Sequence, residues 1–197
     1  MNQQELKQGL GNVDIYLLDQ IMKNRYLDTD LILDAGCGTG RNLSFILNLG
    51  LNIEGCDMDE QSISMLESYY PDEKLTVAEL DKLPYKTSHF NHIVCSAVLH
   101  FAKDETHFLN IINELHRVIK PKGTLFIRMT SIFGLESEVI KKDGQYLLPD
   151  GSYRFLLTTK LIDGLSLKFN FIEPLKTVNV NGLRCMSTLV LEKITTL

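Results

Sequence analysis

The stretch "LILDAGCGTGRN", residues 31–42, runs a short apolar segment straight into glycines at positions 36, 38 and 40. A strand whose C-terminal end opens into a glycine-rich turn before a helix marks the ligand crevice of an open α/β sheet. Gly36, Gly38 and Gly40 let the chain turn sharply and approach a ligand with no Cβ in the way. The dinucleotide fingerprint G-x-G-x-x-G would need its third glycine at position 41, where this chain has Arg41. The spacing G-x-G-x-G therefore points to a smaller nucleoside rather than a pyrophosphate. Asp57 ends the next strand-like run, where an acid accepts hydrogen bonds from both ribose hydroxyls. Such a carboxylate selects an unphosphorylated 2′-hydroxyl, which disfavours NADP. Within "CDMDE" alone this acid reads equally as a turn residue; beside the glycine loop it reads as a ribose ligand.

Outward from this loop, strand-like runs alternate with helix-like ones, the pattern of a parallel sheet covered on both faces. The predicted strands are 31–35, 52–57, 74–78, 91–97 and 123–129. Leu43, Ile46 and Leu47, followed by Gly50, have the spacing of a helix and its C-terminal glycine. Phe108, Ile111, Ile112, Leu115 and Ile119 repeat at helical spacing before Pro121 and Gly123. Upstream, Ile15, Leu18 and Met22, with Leu17 and Ile21 beside them, predict a helix within a helical N-terminal segment, residues 1–30. Residues 131–157 carry two Asp-Gly turn signals and read as a hairpin-like insertion lying over the site. A short helix follows, and then two β-rich runs, "FNFIEPLKTVNV" and "LRCMSTLVLEK", placed to pair antiparallel. The expected fold is α/β: a doubly wound, seven-stranded, mostly parallel sheet with a C-terminal antiparallel pair.

A chain of 197 residues that is 44% hydrophobic and 23% charged can bury one core, and without a linker or repeat it reads as a single domain, 1–197. Its formal charge of −5 lacks the basic footprint of nucleic-acid binding. No signal-peptide pattern opens the sequence and no apolar run is long enough to cross a bilayer, so the expected location is the cytoplasm, without membrane partners. Cys37, Cys56, Cys95 and Cys185 are scattered without CxxC spacing and read as reduced core thiols. The histidines show neither HExxH nor paired Cys/His spacing, so no metal site is expected.

Taken together, "LILDAGCGTGRN", "IEGCDMD", "VAELDKLPY", "FNHIVCSAVLHF" and "ELHRVIKPKGTLFI" resemble the class I S-adenosylmethionine-dependent methyltransferases of the small-molecule type, with a Rossmann-like fold, over about residues 31–130. "CGTGRN" and "LRCMSTLVLEK" further resemble tellurite-resistance-type methyltransferases. The resemblance implies S-adenosyl-L-methionine as cofactor. It implies that Asp34 braces the loop and helps position the methionine amino group, and that Gly36, Cys37, Gly38 and Gly40 form the loop around the methionine and ribose. Asp57 would bind the ribose hydroxyls, and Met58 would pack on the adenine. Glu79 stands where the family often has Asp accepting from the adenine amino group, with Leu80 beside the ring. Ser96 would lie near the methionine end.

Methyl transfer from a sulfonium is an in-line displacement of an already activated group, so positioning and, where required, a base are what the protein supplies. His100, just beyond the fourth strand, is the candidate base; the competing reading is a histidine packed at a helix start. His116 reads as structural. The insertion and neighbouring segments offer Tyr16, Arg128, Tyr153, Arg154 and Arg184 as acceptor-binding candidates, since arginine can grip an anion bidentately. No Asn/Asp-Pro-Pro-aromatic run follows the fourth strand and Cys95 follows Val94 rather than Pro, which disfavours DNA acceptors. The expected activity is methylation of a small acceptor, anionic or thiol/chalcogenide-like, by a monomer or homodimer. Two alternatives stay open: a non-catalytic S-adenosylmethionine or S-adenosylhomocysteine-binding module, and an NAD-dependent oxidoreductase.

Overall fold

The computed structural model describes residues 2–195. The N-terminal segment folds as α1 (Gln3–Leu10), opened by a capping box between Asn2 and Glu5, and α2 (Ile15–Met22), capped by the Asp14 carboxylate on the Tyr16 N–H. The expected apolar face of α2 holds in part: Leu17 is fully buried and Leu18 and Ile21 pack against the core, whereas Ile15 and Met22 are 68% and 74% exposed and the polar Gln20 is fully buried. Polar anchors orient this two-turn helix. Asp14 ties its first turn inward, and Gln20 Oε1 accepts from Arg25 Nε at 2.7 Å beyond its last.

The sheet is built from β1 (Leu31–Ala35), β2 (Asn52–Asp57), β3 (Leu75–Val77), β4 (Phe90–Ser96) and β5 (Ile119–Ser131), with β9 (Phe169–Phe171), β10 (Lys176–Val180) and β11 (Arg184–Lys193) at its C-terminal side. Its order is β10-β11-β5-β4-β1-β2-β3, with β9 also on β11. The pairs β1–β2, β1–β4, β2–β3 and β4–β5 are parallel, and β11 runs antiparallel to β5, β9 and β10. The doubly wound sheet is thus as expected, with β9 as an additional short strand.

Apolar side chains fill both faces. On one, α5 (Glu105–Val118) and α6 (Thr159–Ser166) bury Phe108, Ile111, Ile112, Leu115, Leu161 and Leu165 against β1, β4 and β5. On the other, α2, α3 (Leu43–Asn48) and α4 (Glu60–Tyr69) bury Leu17, Leu43, Ile46, Ile63 and Leu66. Strands covered on both sides carry near-continuous apolar runs, as β1 and β4 do. All four cysteine side chains are buried.

The insertion is a three-stranded antiparallel sheet, β6 (Ile140–Lys142), β7 (Gln145–Leu147) and β8 (Tyr153–Arg154). Asp143 and Gly144 both take positive φ, 50° and 85°, so they form the tight turn that the Asp-Gly pair signals. Leu135, Leu148, Leu156 and Cys185 give the insertion its own small apolar cluster. No helix among the described residues is long and apolar enough to cross a membrane.

Candidate active site

The C-terminal ends of β1, β2 and β4 open onto one cleft of about 470 Å³. Gly36, Gly38, Asp57, Met58, Glu79 and Leu80 line it, all six anticipated from the sequence. Ala78, Ala97, Val98, Phe101, Ala102, Lys103, His107 and Ile111 complete the lining and were not anticipated. Ala97, the residue after β4, sits at φ 63°, so the chain takes a sharp, unusual turn there that no residue type in the sequence signals.

The loop after β1 is held by the end of β2. The N–H groups of Gly36 and Cys37 both donate to the Cys56 carbonyl, at 2.8 and 3.0 Å. Gly38 N–H donates to Asp57 Oδ2 at 2.8 Å, and Asp59 N–H donates to Asp57 Oδ1 at 2.9 Å. An ionised carboxylate offers about four acceptor positions, so each Asp57 oxygen keeps capacity for a ligand hydroxyl. A Cβ added at Gly38 would meet no heavy atom of the protein within 4 Å, whereas one at Gly36 would lie 2.5 Å from a Val98 methyl.

Asp34, Cys37, Gly40 and Ser96, the other cofactor-binding candidates, are not among the residues that line this cleft. Cys37 turns into the apolar core, where burial pushes its thiol far up and out of reactivity at neutral pH. Gly40 serves packing, since a Cβ there would strike Leu66 at 2.5 Å. Ser96 is buried and donates its hydroxyl to Asp14 at 2.7 Å. Asp34 lies beneath the loop and accepts from the Leu43 N–H, so it braces the start of α3. Burial lifts its carboxyl to about 7 against the opposing effects of that N–H and of the Arg41 charge. Its Oδ2 is buried with no partner among the described residues.

The acceptor candidates divide into two groups. Arg154, on β8, lies with its guanidinium 5.0 Å from the centre of the Phe101 ring, and the charges of Arg154 and Arg184 both act on His100. His100 is buried in a 3₁₀ turn (Leu99–Phe101), and its carbonyl accepts from the Phe155 N–H at 3.0 Å. Burial first, and those two arginines second, hold its imidazole down at about 4, so it is neutral at pH 7. Its Nδ1 is buried without a partner among the described residues. Tyr153 is 45% exposed on the same short strand as Arg154. Tyr16 and Arg128 stand apart from these residues: Arg128 donates to Asp14 at 3.1 Å and rests 5.0 Å above the Tyr16 ring. The five candidates therefore do not form one cluster, because Arg128 is drawn to the buried Asp14 carboxylate. His116 packs edge-on against Phe169 at 5.2 Å.

A glycine loop, a ribose-type acid on the neighbouring strand and an apolar slot between Met58, Leu80 and Phe101 suit a nucleoside with a compact tail. Residues 33–127 match the family described as methyltransferase domain. The matched segment, 95 of the 197 residues, is similar to S-adenosylmethionine-dependent methyltransferase domains. S-adenosylmethionine is the cofactor of this domain. Over 97 residues, 49% of this chain and 23% of the relative, the chain is 35% identical to a tRNA (carboxymethyluridine(34)-5-O)-methyltransferase of Arabidopsis thaliana. Over 98 residues, 48% of this chain and 40% of the relative, it is 31% identical to the uncharacterized methyltransferase YodH of Bacillus subtilis. The chain thus spans less than half the length of these two relatives. A solved S-adenosylmethionine-dependent methyltransferase from Methanosarcina mazei shares the fold with a TM-score of 0.74 at 21% identity, covering 89% of this chain and 98% of that one.

Proposed function

We propose that the chain methylates a small acceptor bearing an anionic group, or a thiol or chalcogenide, by in-line displacement without a metal. The bound cofactor supplies an electrophilic methyl group on a positively charged sulfur. Asp57 accepts from the ribose hydroxyls, Met58 and Leu80 flank the base, Glu79 accepts from its amino group, and the loop from Gly36 to Gly38 bounds the tail. His100, neutral and with an unpartnered Nδ1, takes a proton from the acceptor when the acceptor carries one. The observation that supports the acceptor class is Arg154, whose guanidinium lies 5.0 Å from the centre of the ring of the cleft residue Phe101. Guanidinium groups so placed bind carboxylate or phosphate groups and exclude cationic acceptors.

The tRNA methyltransferase among the relatives favours an RNA acceptor as a second reading. Against it, that likeness covers only 49% of this chain, and the chain's formal charge is −5. Thermal unfolding with S-adenosylhomocysteine and with NAD, on wild type and Asp57→Ala, tests the donor assignment. A ligand at about 100 times its dissociation constant stabilises by roughly 2.7 kcal/mol, or about 5–10 °C for a domain of this size. S-adenosylhomocysteine should produce that shift and NAD none, and Asp57→Ala should lose it, because a hydrogen bond to a charged group contributes about 1.5–3 kcal/mol. A shift with NAD alone would replace the methyltransferase reading by an oxidoreductase one. Formation of S-adenosylhomocysteine with anionic metabolites but not with tRNA is the expected outcome of an acceptor screen. Turnover on tRNA alone would establish the second reading, and donor binding with no turnover on any acceptor would favour the binding module.

A further inference from the structure

Two features without a partner lie side by side at one border of the sheet. β10 is an edge strand, with β11 on one side and no strand on the other among the described residues. Thr177, Val178 and Asn179 are exposed along it. Strand edges are commonly blunted by a bulge, a proline or an outward lysine. β10 instead pairs with β11 in unbroken register from Lys176 to Val180 and contains no proline. Its one lysine is drawn onto its own chain, since Lys176 Nζ lies 3.0 Å from Asp19 Oδ2 and 2.8 Å from Glu173 Oε2.

That ion pair also assigns the faces of the strand. Side chains alternate along a strand, so Lys176, Val178 and Val180 share one face, and the reach of Lys176 to Asp19 makes it the face that α2 covers. Ile15 and Met22, seven positions apart, lie on the solvent side of α2, away from the buried Leu17. α2 cannot simply turn to bury them, because it is tied at both ends. Asp14 at its head accepts from Arg128 Nη1 at 3.1 Å and lies 3.8 Å from Arg41 Nη2, and Lys23 beyond its last turn lies 2.9 Å from Glu173 Oε1. An apolar helix face held at a fixed angle beside an unblunted strand edge is a surface already organised for a partner.

We propose that this border is the contact between two copies of the chain, in which β10 pairs antiparallel with β10 of a second copy about a two-fold axis through Val178. A two-fold normal to the sheet continues it through two identical edges, and it sets Val178 against Val178 and Thr177 against Asn179 of the second copy. Lys176 falls opposite Val180, so no like charges face each other across the seam. The same axis keeps both α2 helices on one face of the joined sheet, where they flank the seam, with Ile15, Met22 and Val178 as the apolar surface between them. A foreign strand could occupy the edge, but a second copy also brings a matching α2 to the same face.

Sedimentation equilibrium on the whole chain at about 1–100 μM should show the mass rising from that of one 22.4 kDa chain toward twice that value. Val178→Lys and Met22→Lys should each weaken the self-association by about tenfold or more, because each sets a charge in an apolar seam. Leu167→Lys, at an exposed leucine just after α6, should leave it unchanged. All three positions are exposed, and far-UV circular dichroism of each variant should match that of the wild type. Val178→Cys tests the register. Facing Cα atoms in paired strands lie about 4.5–5.5 Å apart, within disulfide reach, so mild oxidation should link two copies through this position. Val180→Cys, displaced from its own counterpart by about 13 Å along the seam, should not link. The four native cysteines are buried and leave little background. A monomeric mass at every concentration would overturn the proposal, as would a dimer that survives Val178→Lys, is broken equally by Leu167→Lys, or fails to link through Val178→Cys.

Discussion

The donor wall of the cleft and its acceptor rim differ in what carries their geometry. The donor wall is shaped by backbone: two N–H groups on the Cys56 carbonyl, two on the Asp57 carboxylate, and a run of positive φ angles through Gly36, Gly38 and Gly40. The proposed acceptor rim is side chain: His100 from the turn after β4, Arg154 from the insertion and Arg184 from the start of β11, none of them among the residues that line the cleft, although Arg154 lies 5.0 Å from the centre of its Phe101 ring. The insertion is seated by small contacts. Gln145 donates to the Ala102 carbonyl at 3.0 Å, and a Cβ at Gly144 would lie 3.0 Å from the Asp104 Cβ. A wall made of backbone changes only if the chain path changes, whereas a rim made of side chains can be rewritten residue by residue on the same sheet. This is the physical basis on which one fold serves many acceptors.

The sharpest way to break that comparison is Gly36→Ala. Gly36 has φ 78°, and its new Cβ would lie 2.5 Å from Val98, a cleft residue. Left-handed strain of about 1–2 kcal/mol and overpacking of about 1–3 kcal/mol should add. Denaturant unfolding should show a loss of about 2–5 kcal/mol, and calorimetry a loss of S-adenosylhomocysteine binding. A variant with wild-type stability and affinity would mean that the donor wall tolerates a changed path and is not built as described.

The same contrast explains what the sequence made legible. β1 and β2 are found at the residues predicted, because β1 is a mostly apolar run that opens into the glycine loop and β2 is a short run that ends on an acid. β5 begins at Ile119 rather than 123, since helical spacing carries through Ile119 but the chain leaves α5 after Val118. Asp57, Met58, Glu79 and Leu80 lie within a few positions of strand ends, so motif order was enough to find them. Asp14 was invisible for the opposite reason. It looks like an ordinary helix cap, and its partners Ser96 and Arg128 are 82 and 114 positions away. No local pattern distinguishes a capping carboxylate from one that also gathers two arginines. The exposure of Ile15 and Met22 was hidden on similar grounds, because Asp14 and the buried Gln20 set the angle of α2 beside its apolar residues.

On the rim, Arg154→Met should raise KM for the acceptor by about tenfold, the loss of one charge-assisted hydrogen-bonding group, with S-adenosylhomocysteine affinity unchanged. Arg154→Lys should fall between, because an ammonium keeps the charge but cannot form two parallel hydrogen bonds. The readout is steady-state kinetics on the acceptor the screen identifies, beside calorimetry with S-adenosylhomocysteine. If donor affinity fell together with acceptor affinity, wall and rim would be one coupled surface and the division drawn between them would fail.

The finest distinction concerns His100, whose two readings, base and packed residue, predict different pH behaviour. Its imidazole is held at about 4 in the folded chain, against about 6.5 when unfolded. The unfolded chain therefore binds the proton first, so the stability that His100 contributes is full above about pH 6.5 and drains as pH falls toward 4. Between pH 7 and 5.5 the loss attributable to this residue is about 1 kcal/mol, which should appear as roughly 2–4 °C more destabilisation in wild type than in His100→Gln. That difference is expected under either reading, since it needs only burial. The kinetic profile separates them: a base already neutral above about pH 4 leaves turnover without an acid limb from pH 5.5 to 8, and His100→Gln lowers kcat across that whole range while sparing S-adenosylhomocysteine affinity. Wild-type kcat in His100→Gln, with the stability difference intact, would assign His100 to packing and leave the rim with Arg154 and Arg184 as its working groups.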